Sequence, residues 1–373
     1  GIRDDLVTGV QTWLFRSNLS LLYRGRQDWE RARELLVRAV DGPGRSNTAY
    51  LNLAVTLYDL GDPEGALATI EMARELYPRY STLLQVEAEM LWGTGDHQGA
   101  IDAAGTILDV FPDDNVLRLE VLGLQALVEA SRGQIGAARR LQNERSVLAT
   151  SLNESRQVFA SELQIFRLDL LEGQDTTAAL VRLENRFEDV LADVAEFDRP
   201  YGTMATLWAE HGDGTRTQFW AERALAALPA EASGSMLVQM VQRAVEASMT
   251  IAREDYAGAL EQYRAAQLLP NCNDCFTDMI ARAFEGLQEP DSAIAYLEET
   301  LDQIPLTSVE EHEGALADRL VRLAALYEQV GRNDDAAATW SRFADRWVDA
   351  DAVLQPRVAA ARANAARLSG GGG

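Results

Sequence analysis

The chain has 373 residues and a formal net charge of -24, with a sequence pI near 4.5. This acidity argues against nucleic acid as a partner, because such a surface repels phosphates. All 34 cationic side chains are arginine, which excludes a P-loop NTPase, a protein kinase and a Schiff-base enzyme, since each needs a lysine.

In chain order, residues 1–12 are a short lead-in and residues 13–46 fit a degenerate two-helix unit. Two clear units of 34 residues follow, at 47–80 and 81–114. Each has alanine, glycine, alanine and proline at fixed places. Those residues are Ala54, Gly61, Ala66 and Pro78 in the first unit, and Ala88, Gly95, Ala100 and Pro112 in the second.

Each unit reads as two helices with apolar residues at helical spacing. Small residues at Ala54 and Ala66 let the two helices approach closely. Gly61 ends the first helix, where a left-handed residue costs least. Asp62 and Pro63 suit the start of the next helix. One such hairpin cannot bury its apolar face alone, so a stack of hairpins is expected.

Beyond residue 114 the pattern loosens. Residues 115–235 form an irregular section, in which the polar stretch 142–155 is either a long loop or a longer exposed helix. The pattern is clear again over 236–350, which we expect to be a C-terminal lobe. Residues 351–368 suit a capping helix, because arginines cover several of its faces. The tail at 369–373 resembles a linker.

The repeat at 47–114 resembles the tetratricopeptide repeat (TPR). The resemblance covers about residues 13–350 and implies an all-α, right-handed α-solenoid of about nine TPR-like helical hairpins. It also implies a non-enzymatic protein–protein interaction scaffold that binds a protein or peptide segment in a concave groove. The three units at 13–114 would form the N-terminal lobe.

In this family, positions 2, 5, 9, 12 and 13 of a unit face the groove. The groove residues implied here are Thr48, Leu51, Val55, Tyr58, Thr82, Gln85, Glu89 and Trp92, with Asp59 and Gly93 at position 13. Tyr58 and Trp92 would lie side by side as a peptide-binding hot spot; the alternative is that they only pack one repeat on the next. The carboxylate clamp of chaperone-binding relatives is not carried over, because the chain has no lysine.

The C-terminal third also resembles the TPR tails of large bacterial regulators, including serine/threonine kinases. The stretches that carry this resemblance are CNDC, EPDSAIAYLEETL, LAALYEQVGRNDDAAATW and WVDADAVLQPRVAAARANAARL. It implies the interaction or sensing part of such a protein, or a free-standing bacterial relative.

Cys272 and Cys275 form a C-x-x-C pair, which is compatible with reduced thiols, with a local disulfide, or with metal or redox work. A second cysteine pair is missing and the three histidines are isolated in sequence, so we expect no metal site. No catalytic motif or cofactor fingerprint is present, so we expect neither catalytic residues nor a cofactor.

Two other functions compete with the scaffold. The chain could be a structural protein that self-assembles into a homo-oligomer or polymer through its solenoid ends, or a hydrolase hidden in 115–235. No apolar run reaches the roughly 18–20 residues of a membrane helix, so no membrane insertion is expected. The chain opens at Gly1, which indicates a processed product or a fragment. Its compartment is the bacterial cytoplasm or, if the cysteines are oxidised, outside the cell.

Overall fold

A computed structural model describes residue 23 and residues 28–42, 45–229, 234–267, 276–302, 306 and 309–370. Within these residues the expected all-α fold of helical hairpins is confirmed: there are 18 α-helices and a short 3-10 helix at Glu196–Asp198. In chain order the α-helices are α1 (Trp29–Val40), α2 (Asn47–Asp59), α3 (Pro63–Leu76), α4 (Ser81–Gly93), α5 (His97–Val110), α6 (Asn115–Ser131), α7 (Ile135–Ser151), α8 (Ser155–Leu171), α9 (Thr176–Val190), α10 (Tyr201–His211), α11 (Gly214–Ala227), α12 (Met236–Ile251), α13 (Tyr256–Gln267), α14 (Thr277–Gly286), α15 (Pro290–Asp302), α16 (Val309–Gln329), α17 (Asn333–Arg346) and α18 (Gln355–Ser369).

The turn inside the hairpins explains the repeat pattern. Gly61 follows α2 with a φ of +81°, the left-handed region in which a Cβ is strained. Asp62 then caps α3, because its Oδ1 accepts a hydrogen bond from the Gly65 N–H at 2.9 Å. Gly95 and Asp96 repeat this arrangement in the next hairpin. The helix stop and start predicted at these positions are confirmed.

Later turns reach the same backbone shape without glycine. Glu254 and Gln288 have φ values of +60° and +59°. The polar stretch 142–155 is helical for most of its length, since α7 continues through Ser151. The turn into α8 passes through Asn153 at a φ of +59°. Of the two alternatives for this stretch, the longer helix is therefore the one observed.

The described residues form two compact units. The first contains the described residues within Gly1–Val128 together with those within Gln303–Glu313. The second contains those within Glu129–Asp302 together with those within Gly314–Gly373. The helix expected to close the repeats corresponds to α18, whereas the lobe boundaries expected from the repeat pattern stay predictions.

The small residues of the repeat pattern are buried in the first unit. Ala54, Ala66, Ala88 and Ala100 are all completely buried. Their positions are those predicted for close helix contacts. The larger side chains around them, including the fully buried Trp92, fill the space between successive hairpins.

An aromatic cluster forms one of the two cores of the second unit. The Phe187 ring lies 5.1 Å from Phe159, 5.2 Å from Tyr201 and 4.7 Å from Trp220, measured between ring centroids. These side chains come from four different helices, α8 to α11. The irregular section predicted from the sequence therefore contains well-packed hairpins.

The second unit also joins residues that are far apart in the chain. Trp347 Nε1 donates to the Ser131 carbonyl at 3.1 Å, and the Asp351 N–H donates to the Gly133 carbonyl at 3.0 Å. Asp351 Oδ2 accepts from the Gly136 N–H at 2.7 Å. The turn after α6 is thereby bonded to the turn after α17, and we call this the closing contact.

Gly133→Ala should weaken the closing contact. A Cβ at Gly133 would lie 2.6 Å from Ala350 Cβ, whereas Gly173, with a similar φ of +81° against +75°, has nothing within 4 Å of that position. Both alanines cost about 1–2 kcal/mol for the left-handed backbone. Gly133→Ala should cost about 1–3 kcal/mol more from overpacking. Urea unfolding of both variants measures the difference, and equal losses would contradict the contact.

Candidate functional site

The predicted groove residues lie on α2 and α4, the first helices of two consecutive hairpins in the first unit. Val55, Tyr58 and Trp92 are buried, with exposed fractions of 8%, 8% and 0%. The remaining predicted residues, which we call the accessible positions, keep contact with solvent: Thr48, Leu51, Thr82, Gln85 and Glu89. The face thus has a buried end, near the carboxyl ends of both helices, and an accessible remainder.

A distant part of the chain covers the buried end. The Leu306 N–H donates to Asp59 Oδ1 at 2.9 Å, although the two residues are 247 positions apart. Leu306 and Val309 are 5% and 0% exposed. Both belong to the same hydrophobic core as Tyr58 and Trp92. The aromatic pair predicted to contact a peptide therefore lies in a core that a segment of this chain completes.

The absence of a side chain at Gly93 makes room for this segment. A Cβ at Gly93 would lie 3.1 Å from Val309 Cγ2 and would overlap the Tyr58 hydroxyl. Glu313 follows Val309 one turn later on α16 and is only 5% exposed. We call Leu306, Val309 and Glu313 the docked segment.

The environment of Tyr58 changes its acidity. Burial raises the pKa of Tyr58 to about 12, and the carboxylates of Glu313 and Asp59 contribute to the rise because they disfavour a phenolate. The phenol is therefore protonated throughout the physiological pH range and can donate a hydrogen bond.

The accessible positions carry polar groups that bond along the face. Gln85 Nε2 donates to Glu120 Oε2 at 2.5 Å, one hairpin further on. The Thr48 N–H donates to Asn47 Oδ1 at 2.8 Å. Amides and carboxylates of this kind can exchange their partners for the backbone of a bound segment.

A second group of charges, in the second unit, was not predicted from the sequence. Arg282 Nη1 donates to the Glu210 carbonyl at 2.6 Å. Arg319 donates to both carboxylate oxygens of Asp278 at 2.9 to 3.2 Å, and Arg322 Nη1 donates to the Asp278 carbonyl at 3.2 Å. These residues connect α10, α14 and α16, all first helices of their hairpins.

The Glu210 carboxyl lies among these charges. Glu210 is an exposed residue, yet nearby protein atoms partly desolvate its carboxyl, and this raises its pKa. Asp278 adds to the rise, while Arg282, Arg167 and Arg322 oppose it. The sequence signal was weak, because Asp278 and Arg282 stand four residues apart like many exposed helical pairs. The hydrogen bonds of this group join helices, so we assign it to stability.

The C-x-x-C pair, Cys272 and Cys275, lies outside the described residues, and its state stays a prediction. In the described part of the chain, no group of three or more His, Cys, Asp or Glu side chains is placed to hold a metal ion. No helix in that part of the chain is both long enough and apolar enough to cross a membrane.

Comparison with known proteins confirms the repeat. The tetratricopeptide repeat family model matches residues 18–81. TPR repeat-containing protein YpiA of Bacillus subtilis is 24% identical over 147 residues, which are 38% of this chain and 34% of that protein. The match thus spans about a third of the relative's length. The further resemblance of the C-terminal third to bacterial regulator tails stays a prediction.

Solved structures of TPR proteins are similar over much of the chain. A tetratricopeptide repeat protein from Parabacteroides merdae has a TM-score of 0.46 at 16% identity, covering 74% of this chain and 99% of its own. The yeast Tom70 structure has a TM-score of 0.31 at 13% identity, covering 96% and 95%. Stacked helical hairpins of this class form extended concave surfaces that serve as protein-binding scaffolds.

The stability of the chain should fall above pH 10, partly because of Tyr58. Its pKa is raised in the folded state, so its contribution is complete below the unfolded value of about 10 and is lost as the pH rises to about 12. Tyr58→Phe should therefore reduce the alkaline fall in the free energy of unfolding. Urea unfolding from about pH 8 to 12 tests this. A parallel fall in both proteins would contradict it.

Proposed function

We propose that the chain is a non-enzymatic protein-interaction scaffold, and that the face of α2 and α4 in the first unit binds a protein segment. One observation carries the proposal: this face already accommodates a stretch of polypeptide from 247 positions away, through a backbone N–H and buried apolar side chains. A surface that binds one peptide chain in this way has the chemistry to bind another.

The type of contact supports a protein partner. Asp59 accepts from a main-chain N–H, which every residue except proline can offer. The hydrophobic contacts of Leu306 and Val309 supply affinity without requiring a particular charge. The net charge of -24 further disfavours nucleic acid. The alternatives of a homopolymer and of a hydrolase in residues 115–235 gain no support from a contact among the described residues.

The test of this function should use accessible positions. Truncating Trp92, which is completely buried, would cost roughly 3–5 kcal/mol by leaving a cavity, and would confuse binding with folding. Thr82 is half-buried on α4, the first helix of its hairpin. Thr106 is in the same intermediate range of burial on α5, the other helix of the same hairpin, and provides the matched control.

A library of random peptides displayed on phage, panned on the full chain, should yield binders that Thr82→Arg weakens. The added side chain obstructs the face, so we expect at least about a tenfold loss of affinity. Thr106→Arg should change affinity less than about twofold. Titration by fluorescence anisotropy gives both values. Equal affinity for the two folded variants would reject the face of α2 and α4 as the binding surface.

A further inference from the structure

We propose that the docked segment is an internal ligand of the first unit, and that a partner segment competes for its place by carrying the same pattern. The pattern is an apolar residue, a second apolar residue three positions later, and a carboxylate four positions after that. This inference rests on the proposed function and goes further, because it states the chemistry of the partner at the buried end of the face.

The first element of the pattern is the apolar residue Leu306. Leu306 is buried, and its N–H donates to Asp59 Oδ1 at 2.9 Å. A hydrogen bond to a charged acceptor contributes more than one between neutral groups. Because the donor is a main-chain group, a partner can reproduce this bond with any residue except proline, and the leucine position then requires only an apolar side chain.

The second element is the apolar residue that begins the helix. Val309 is completely buried, and the Cβ of an alanine at position 93 would lie 3.1 Å from its Cγ2. The site is therefore shaped by Gly93, where a larger residue would meet both Val309 and Tyr58. A β-branched or similarly sized side chain fits here, whereas a longer one would overlap the surrounding core.

The third element is a carboxylate. Glu313 lies four residues after Val309, so both share one face of α16. Glu313 is 5% exposed, and its charge contributes to the raised pKa of Tyr58. A partner segment with an acid at this position would place its charge beside the same phenol, which is protonated at neutral pH.

Being part of the same chain gives the docked segment an advantage over a free ligand. Leu306 and Val309 belong to the same molecule as their site, so they compete with a free ligand at a high effective concentration. An external segment can bind only the molecules in which the site is free. Its apparent association constant is therefore the intrinsic one multiplied by that free fraction. Disabling the internal ligand should raise the affinity for an external copy.

The experiment uses a fluorescent peptide of residues 303–316, QIPLTSVEEHEGAL, titrated into the full chain. Leu306→Asp/Val309→Asp should remove the internal ligand, and this variant should bind the peptide at least about tenfold tighter than the unaltered chain. The control is Val116→Asp/Val147→Asp, which alters valines that are 60% and 72% exposed. It should bind as the unaltered chain does.

A further pair of substitutions tests the site itself. In the Leu306→Asp/Val309→Asp background, adding Gly93→Ala should abolish peptide binding, because the new Cβ overlaps the Tyr58 hydroxyl. Adding Gly105→Ala should leave it intact, since the nearest atom to a Cβ there is Gln125 Nε2 at 3.9 Å. Binding that survives Gly93→Ala would overturn the assignment.

Hydrogen exchange on the unaltered chain covers the case in which the aspartate variant does not fold. Millimolar peptide should speed the exchange of Leu306 and of residues 309–313 and leave α5 unchanged; no change at those residues would overturn the proposal. The proposal would also be overturned if the peptide failed to bind a folded Leu306→Asp/Val309→Asp variant. That result would leave the proposed function untouched, because the library test at Thr82 is independent of it. The native molecular mass gives one more outcome. If the unaltered chain has the mass of two chains and the Leu306→Asp/Val309→Asp variant has the mass of one, the docked segment belongs to a second copy and the intramolecular assignment is overturned.

Discussion

The structure depends on how closely two helices can approach where they cross. In the first unit the small residues of the repeat pattern are alanines with no exposed surface, among them Ala54 and Ala66. Without long side chains at these positions, the two helices of a hairpin can pack closely, and the hairpin has little interior of its own. Such a hairpin leaves apolar surface on both sides, so another hairpin must cover it. The candidate site is built on α2 and α4, the first helices of two successive hairpins.

The same scaffold carries different chemistry in the two units. In the first unit the first helices of the hairpins present aromatic and small residues, to which Leu306 and Val309 dock. In the second unit they present arginines and carboxylates that bond to one another, such as Arg319 and Asp278. Arginine suits this role because its planar group bonds a carboxylate through two donors. A chain without lysine thus gains rigid charge pairs where lysine would give mobile ones.

Local signals in the sequence were sufficient for the hairpins but not for the site. Gly61 and Asp62 predicted a helix stop and start because their effects act within a few residues. The left-handed turn at Gln288 carried no such signal, since the surrounding helices impose it on a residue that does not favour it. Contact between Leu306 and Asp59 spans 247 positions, and no periodic pattern encodes a pairing of that kind. The groove positions were inferred from a family pattern that does not record which of them a remote segment covers.

The closing contact changes how the second unit responds to thermal fluctuation. In an open array of repeats each terminal repeat has one neighbour, so the ends fray at a lower free-energy cost than the middle. Bonds between Trp347 and Ser131, and between Asp351 and Gly133, give both ends of this array a second neighbour. A repeat can then open only if it separates from two sides. Cooperativity should therefore extend over the whole unit, and its assembly must wait for contacts between positions about 215 residues apart.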